Sequence, residues 1–185
     1  MIAVQELAIP DVKLLRPKVH QDDRGYVTEI AHEKELQDLG INLRFVQENQ
    51  SLSRLAGTVR GLHFQKPPHA QAKFIRVLKG KIFDVAVDVR PRSPTYGKHV
   101  SVVLPEDEIA QLYIPPGFAH GFCTLTNDTV ILYKMSAFYA PGNEGGVLWN
   151  DPEIAIPWPI DHAKAVLSGK DEKLPLFKDL PPIEW

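Results

Sequence analysis

Cysteine is almost missing from this chain: Cys123 stands alone among 185 residues. A lone thiol forbids an intrachain disulfide and cannot build a thiolate zinc cluster. A surplus of either charge is missing as well. Lysine and arginine number 21 against 23 aspartates and glutamates, for a formal net charge of -2. Sequence-independent nucleic-acid binding needs an excess of cations facing the phosphates, so that class is excluded, while a local basic patch for one small anion stays open. No apolar run reaches membrane-spanning length. The longest uncharged stretch, 109–127, is interrupted by Gln111, Pro115, Pro116, Gly117 and His120 and would not sit as a helix in lipid. Met1 to Asp11 has neither the basic start nor the apolar run of a signal peptide. A soluble, cytoplasmic protein without membrane or nucleic-acid partners is therefore expected.

Helical signals are also scarce. His32 to Leu39, closed by Gly40, reads as one short helix, and Asp161 to Leu167, with Asp161 as its cap and Gly169 beyond its end, reads as another. Neither could found a bundle. Hydrophobic residues make up 44% and charged residues 24%, an ordinary globular composition. At about 150 residues per domain the length predicts one domain over 1–185. Six of the sixteen prolines lie beyond residue 151, so the tail cannot be regular helix or sheet; it either wraps the body or closes over it as a lid.

What remains reads as strands. In Phe83 to Val89, residues 83, 85, 87 and 89 are apolar, while Asp84, Ala86 and Asp88 alternate with them. Period two sends one face to a core and the other to water or a cavity. Phe74 to Leu78 and Ile82 to Val89 flank the short turn Lys79-Gly80-Lys81, which predicts a hairpin. Further strands are expected at 43–49, 58–65, 99–104, 111–114, 122–125 and 130–138, separated by turn residues rich in proline, glycine, asparagine and aspartate. Many short strands at regular spacing mean an all-β sandwich, jelly roll or barrel.

Two segments are polar where a strand should be bland. In Arg60-Gly61-Leu62-His63-Phe64-Gln65, alternation places Arg60 with Leu62 and His63 with Gly61 and Gln65. In Pro115-Pro116-Gly117-Phe118-Ala119-His120, a proline-glycine turn delivers a histidine to a strand. Together they resemble the two motifs of cupin barrels, with Gly57 and His63 in place but Gln65 where a second histidine belongs. A carboxamide there is a poor transition-metal ligand. His69 could restore a third ligand only from a turn after Pro67-Pro68, so a metal-free site is expected. The groups available to such a cavity are His63, His120, Lys73, Arg60, Arg24 and Tyr133. An imidazole base, a cation beside a developing oxyanion and a phenol that returns a proton form the set needed to invert a carbon next to a carbonyl. Each residue alone has a bland alternative: a solvated histidine, an edge lysine, a core tyrosine.

Longer motifs narrow the choice. Asp22-Asp23-Arg24-Gly25, Gln47-Glu48-Asn49, Val59 to Gln65, Phe83 to Arg90, Ser93-Pro94-Thr95, Ile114 to Phe122, Leu132-Tyr133-Lys134, Tyr139-Ala140-Pro141, Trp149 to Pro152 and Ser168 to Asp171 occur in this order. Together they resemble the dTDP-4-dehydrorhamnose 3,5-epimerase family, over residues 10 to 175. The resemblance implies a cupin-type jelly roll, usually a homodimer, acting on dTDP-4-dehydro-6-deoxy-glucose without metal or other cofactor. It implies His63 as base, Asp171 as its orienting carboxylate, Tyr133 as acid and Lys73 beside the enolate. It further implies Arg24, Glu29, Gln47, Asn49, Arg60, His120, Glu144 and Lys170 as sugar-nucleotide contacts, and Tyr139 as the ring that stacks on thymine. The alternatives are a single-centre epimerase of a related sugar nucleotide, a cupin shell that binds one without chemistry, and a metal-dependent cupin enzyme. The joint presence of His63, Lys73 and Tyr133 argues for chemistry, because a pure binder has no use for that set.

Overall fold

The structure is a computed structural model that describes residues 2–185. Its strands are β1 (Ile2–Glu6), β2 (Lys13–Pro17), β3 (Val19–Asp22), β4 (Gly25–Thr28), β5 (Gln47–Ser53), β6 (Val59–Gln65) and β7 (Lys73–Lys79), then β8 (Lys81–Asp88), β9 (His99–Pro105), β10 (Gln111–Ile114), β11 (Phe118–Thr124), β12 (Thr129–Met135) and β13 (Glu144–Gly146). The helix α1 (Glu33–Asp38) is capped by the His32 side chain, which accepts from the Glu35 amide. A six-stranded sheet runs β1-β2-β10-β7-β12-β5, and a five-stranded sheet runs β13-β6-β11-β8-β9; β3 and β4 form a separate ribbon. This is the expected all-β jelly roll of the cupin type. No helix among the described residues is long and apolar enough to cross a membrane.

The two sheets face each other across Ile75, Val77, Ile82, Ala86, Leu112, Ile114, Phe122 and Ile131, all 5% exposed or less. Outside the five-stranded sheet, Leu62, Phe64, Val85, Val87 and Val89 pack under Trp149, Ile154, Ile156, Trp158 and Phe177. The proline-rich tail therefore wraps the body. On the other side, Leu36 of α1 and Ile41 cover Leu15, Phe74 and Tyr113 of the six-stranded sheet. Because β8 is covered on both faces, its alternation is not apolar against solvent. One face meets the tail; the other meets the interior, where Asp84 is fully buried.

Two expectations are corrected. The segments around Lys79-Gly80-Lys81 do not pair: β7 lies between β10 and β12, while β8 lies between β11 and β9. Gly80, at φ +86°, turns a corner from one sheet to the other, so close that a Cβ would lie 2.4 Å from Thr126 Oγ1. The two strands then face one core from opposite sheets, which strands paired in a hairpin could not do. The helix expected over 161–167 is a single 3-10 turn, His162–Lys164, capped by Asp161. It stops there because Val166 leaves to bond the Gly57 and Val59 backbones.

Candidate active site

The site forms between the sheets. From the five-stranded sheet, β6 brings Arg60 and His63, β8 brings Asp84 and β11 brings His120. From the six-stranded sheet, β5 brings Gln47, Asn49 and Ser51, β7 brings Lys73 and β12 brings Tyr133. Two chambers, of about 470 and 630 Å³, share His63, Lys73, Tyr133 and Lys170 in their walls. Each is within the size usual for small-molecule sites, about 300–1,000 Å³.

Arg60 reaches this cavity against the alternation read from the sequence. His63 faces His120 and Arg60 faces Phe122, so two residues, Gly61 and Leu62, stand opposite Gly121 alone. This bulge turns Arg60 and His63 to the same side and drives Leu62 into the outer core. Gly61 permits it: at φ +121° its added Cβ would lie 2.6 Å from Gly121 Cα and 2.7 Å from the His120 carbonyl oxygen.

The catalytic candidates converge. His63 Nε2 lies 2.6 Å from Asp171 Oδ1, and Lys73 Nζ donates to the His63 carbonyl at 3.2 Å. Asp171 comes from the tail, in a 3-10 turn over Asp171–Lys173 whose first amide bonds the Ser168 hydroxyl at 3.1 Å. Burial pushes the Asp171 carboxyl up, but hydrogen bonds from His63, Ser168 and the Gly61 amide, with the His63 charge, outweigh it and hold the group below the usual carboxylate range. An ionised carboxylate on one ring nitrogen fixes the tautomer that leaves the other nitrogen free to take a proton. Lys73 is lowered to about 8 because burial penalises its charge, partly offset by the Asp84 carboxylate.

A second imidazole–carboxylate pair lies beside the first. His120 Nε2 is 2.9 Å and 3.1 Å from the two Asp84 oxygens, and both residues are buried. Burial lowers the His120 pKa against the pull of Asp84. Asp84 was legible only as a polar residue in an apolar strand; its role beside His120 and Lys73 needed the fold. Ser51 was not legible at all. Its hydroxyl is buried in the wall of the smaller chamber without a hydrogen-bond partner.

Of the sugar-nucleotide candidates, Gln47, Asn49, Tyr139, Glu144 and Lys170 form a hydrogen-bonded rim around the larger chamber, while Arg60 and His120 line the smaller one. Gln47 Nε2 donates to Asn49 Oδ1 at 3.2 Å, the Tyr139 amide donates to Gln47 Oε1 at 2.8 Å, and Lys170 Nζ donates to Glu144 Oε1 at 2.8 Å. Arg60 reaches Ser53 Oγ from its Nε at 3.2 Å. Arg24 and Glu29 are not in this constellation. Arg24 sits in the turn between β3 and β4, bonded to Asp22, and neither residue lines either chamber. Gln65 donates to the His69 carbonyl at 2.7 Å and the Phe138 carbonyl at 3.1 Å, and accepts from the Ala140 amide at 2.8 Å. Its amide braces two loops, 66–72 and 136–143, and the exposed His69 contributes no side chain to the cavity.

Residues 6–179 match the family model described as dTDP-4-dehydrorhamnose 3,5-epimerase. The chain belongs to the dTDP-4-dehydrorhamnose 3,5-epimerase family. A protein of that name from Sinorhizobium fredii is 50% identical over 177 residues, covering 96% of this chain and 90% of its own. A crystal structure of the Bacillus anthracis epimerase with TDP and PPi bound superposes with a TM-score of 0.92 at 49% identity, covering 95% of this chain and 99% of that one. The Legionella pneumophila enzyme, in complex with dTDP-4-keto-L-rhamnose, gives a TM-score of 0.92 at 38% identity and covers 98% and 95% of the two chains. Membership of this epimerase family accompanies a site built from two imidazole–carboxylate pairs, one half-buried lysine and one phenol between two sheets.

Proposed function

We propose that the protein inverts carbons 3 and 5 of dTDP-4-dehydro-6-deoxy-D-glucose, giving dTDP-4-dehydro-L-rhamnose. The observation that carries this reading is the grouping of His63, Asp171, Lys73 and Tyr133 around one cavity. His63 removes the proton from a carbon next to the C4 ketone, and the electron pair moves onto the ketone oxygen as an enolate. Lys73 supplies positive charge where that oxygen becomes anionic, which lowers the barrier because the charge is present in the transition state and not in the ketone. The Tyr133 phenol returns a proton to the same carbon from the other face, so no atom is gained or lost. In a gluco-configured ring the hydrogens on carbons 3 and 5 project from one face, so a single base serves both centres. Between rounds His63 must give up its proton and Tyr133 must regain one. The His63 side chain is 38% exposed, which leaves it a route to water.

The decisive measurement is incubation of the protein with the 4-keto sugar nucleotide in deuterated water, followed by NMR. Deuterium at both carbons is expected. Label at one carbon alone would make the protein a single-centre epimerase, and no label at either would reduce it to a binding shell.

We further propose that the working protein is a homodimer in which Arg24 and Glu29 serve the neighbouring copy's site. The support is the β3–β4 ribbon, which stands apart from both sheets and leaves Tyr26 61% and Val27 70% exposed. Sedimentation would show a dimer. The cytoplasm is its proposed place of action, in keeping with a single free and buried thiol at Cys123.

A further inference from the structure

We propose that residues 180–185 form a specificity wall for the nucleoside, and that Trp185 is the positioning residue that holds the wall in place. This rests on the dTDP-sugar reading above. Leu180, Pro181 and Ile183 line the larger chamber, the one that also contains Tyr139. Ile183 lines a second cavity as well, of about 920 Å³, between the tail and the loops carrying Asp11 and Arg90. The segment is thus a partition one chain thick, with open space on both sides.

Such a partition keeps its place only if its ends are fixed. The near end is fixed at Phe177, whose amide donates to Asp151 Oδ2 at 2.8 Å and whose ring packs 4.8 Å from Tyr96. The far end is fixed at Trp185. Its indole N–H donates to the Val89 carbonyl at 3.0 Å, and its ring lies 5.7 Å from Phe64. Phe64 is itself a wall residue of the larger chamber, seated where a Cβ on Gly145 would come within 2.4 Å of its ring. Trp185 therefore holds two neighbouring pieces of one wall. Between the anchors, Pro181 and Pro182 each fix one backbone angle, so the span has few other shapes to adopt.

The chemistry of the wall suits a flat heteroaromatic base. Its apolar side is Leu180, Pro181, Ile183 and Phe64, while the rim residues Gln47 and Glu144 offer polar atoms. A base presents apolar faces and polar edges, so one side excludes water from a face while the other reads an edge.

Titration calorimetry with dTDP tests this, together with steady-state kinetics on the sugar nucleotide. Trp185→Ala should weaken dTDP binding and raise KM by about tenfold while kcat stays within about twofold, because the reacting groups are untouched. Trp185→Phe, which keeps the ring and loses the N–H, should fall between. Ile183→Asp, which leaves both anchors intact, should weaken dTDP as much as Trp185→Ala does. Wild-type dTDP affinity in both Trp185→Ala and Ile183→Asp would overturn the wall. So would a parallel fall of kcat and affinity with thermal stability in Trp185→Ala, if Ile183→Asp binds normally. Failure of the wild-type protein itself to bind dTDP would instead overturn the substrate reading on which the wall rests.

Discussion

The two imidazole–carboxylate pairs have the same chemistry and occupy facing positions on neighbouring strands, yet their surroundings separate their uses. His63 has a side chain 38% exposed and takes its aspartate from the tail. His120 is 9% exposed and takes its aspartate from the next strand of the same sheet, where Asp84 is 0% exposed. A base must exchange protons with water between turnovers, and only the first pair has that access. The second pair is buried, with only the His120 ring reaching the wall of the smaller chamber, so its protonation state is set by burial and by Asp84. It acts as a fixed polar floor beneath Lys73. Burial, more than residue type, separates the two pairs in the proposed mechanism.

Breaking the first pair should have the largest effect. In His63→Asn, deuterium exchange should fall by about 10³-fold or more while dTDP binding survives, since general-base catalysis is worth about 10²–10⁴-fold. Asp171→Asn should cost less, because the ring remains and only its orientation and basicity are lost. Exchange rates in the two variants, measured side by side, check the order; equal rates in His63→Asn and wild type would place the base elsewhere.

Lys73 sharpens the comparison from the other side. With its pKa held at about 8 by burial, the native state binds fewer protons than the unfolded chain between about pH 8 and the usual lysine range. Stability should therefore rise with pH through that window, while turnover falls as the ammonium that faces the enolate is lost. Lys73→Met should lower exchange by about 10²-fold and raise the melting temperature at pH 7, abolishing the alkaline rise. A lower melting temperature would show that the cation supports the fold.

The buried pair should matter to stability before rate. Asp84→Asn leaves His120 facing an amide and removes the charge near Lys73, at a cost of about 1–3 kcal/mol in chemical denaturation. Acid should show a smaller, related effect. Since the His120 pKa is depressed, the unfolded chain takes a proton more readily than the native one. Stability then declines as pH falls below the usual imidazole value, a decline that His120→Leu should blunt. An unchanged pH profile in that variant would move the acid sensitivity to the carboxylates, Asp171 foremost.

Strands with an apolar face were legible, and strands without one were not. β6, β7, β8, β9 and β10 lie within a residue of the strands expected between turn signals. β5 was expected over 43–49 but runs Gln47–Ser53, because its cavity face is Gln47, Asn49 and Ser51 and its other face is largely exposed. A strand that lines a polar cavity carries no hydrophobic period to detect. The first half of β11, Phe118 to Gly121, lies outside the expected 122–125: the strand starts directly after the Pro115-Pro116-Gly117 turn, and with every residue buried no period marks its start. β3 and β4 are short and mostly exposed, and β13 is only three residues long.

For the site, sequence motifs named His63, Lys73, Tyr133, Asp171 and the rim residues, because long runs of residues in order carry chemistry whatever their distance apart. By itself the sequence determined residue types, the all-β class and the family, since these depend on local pattern and on the groups present. Tertiary structure alone decided that Gly80 turns a corner between sheets, that a bulge at Gly61 turns Arg60 toward His63, and that Asp84 lies under His120. Those outcomes depend on what each strand meets across the core, which alternation along one strand cannot encode.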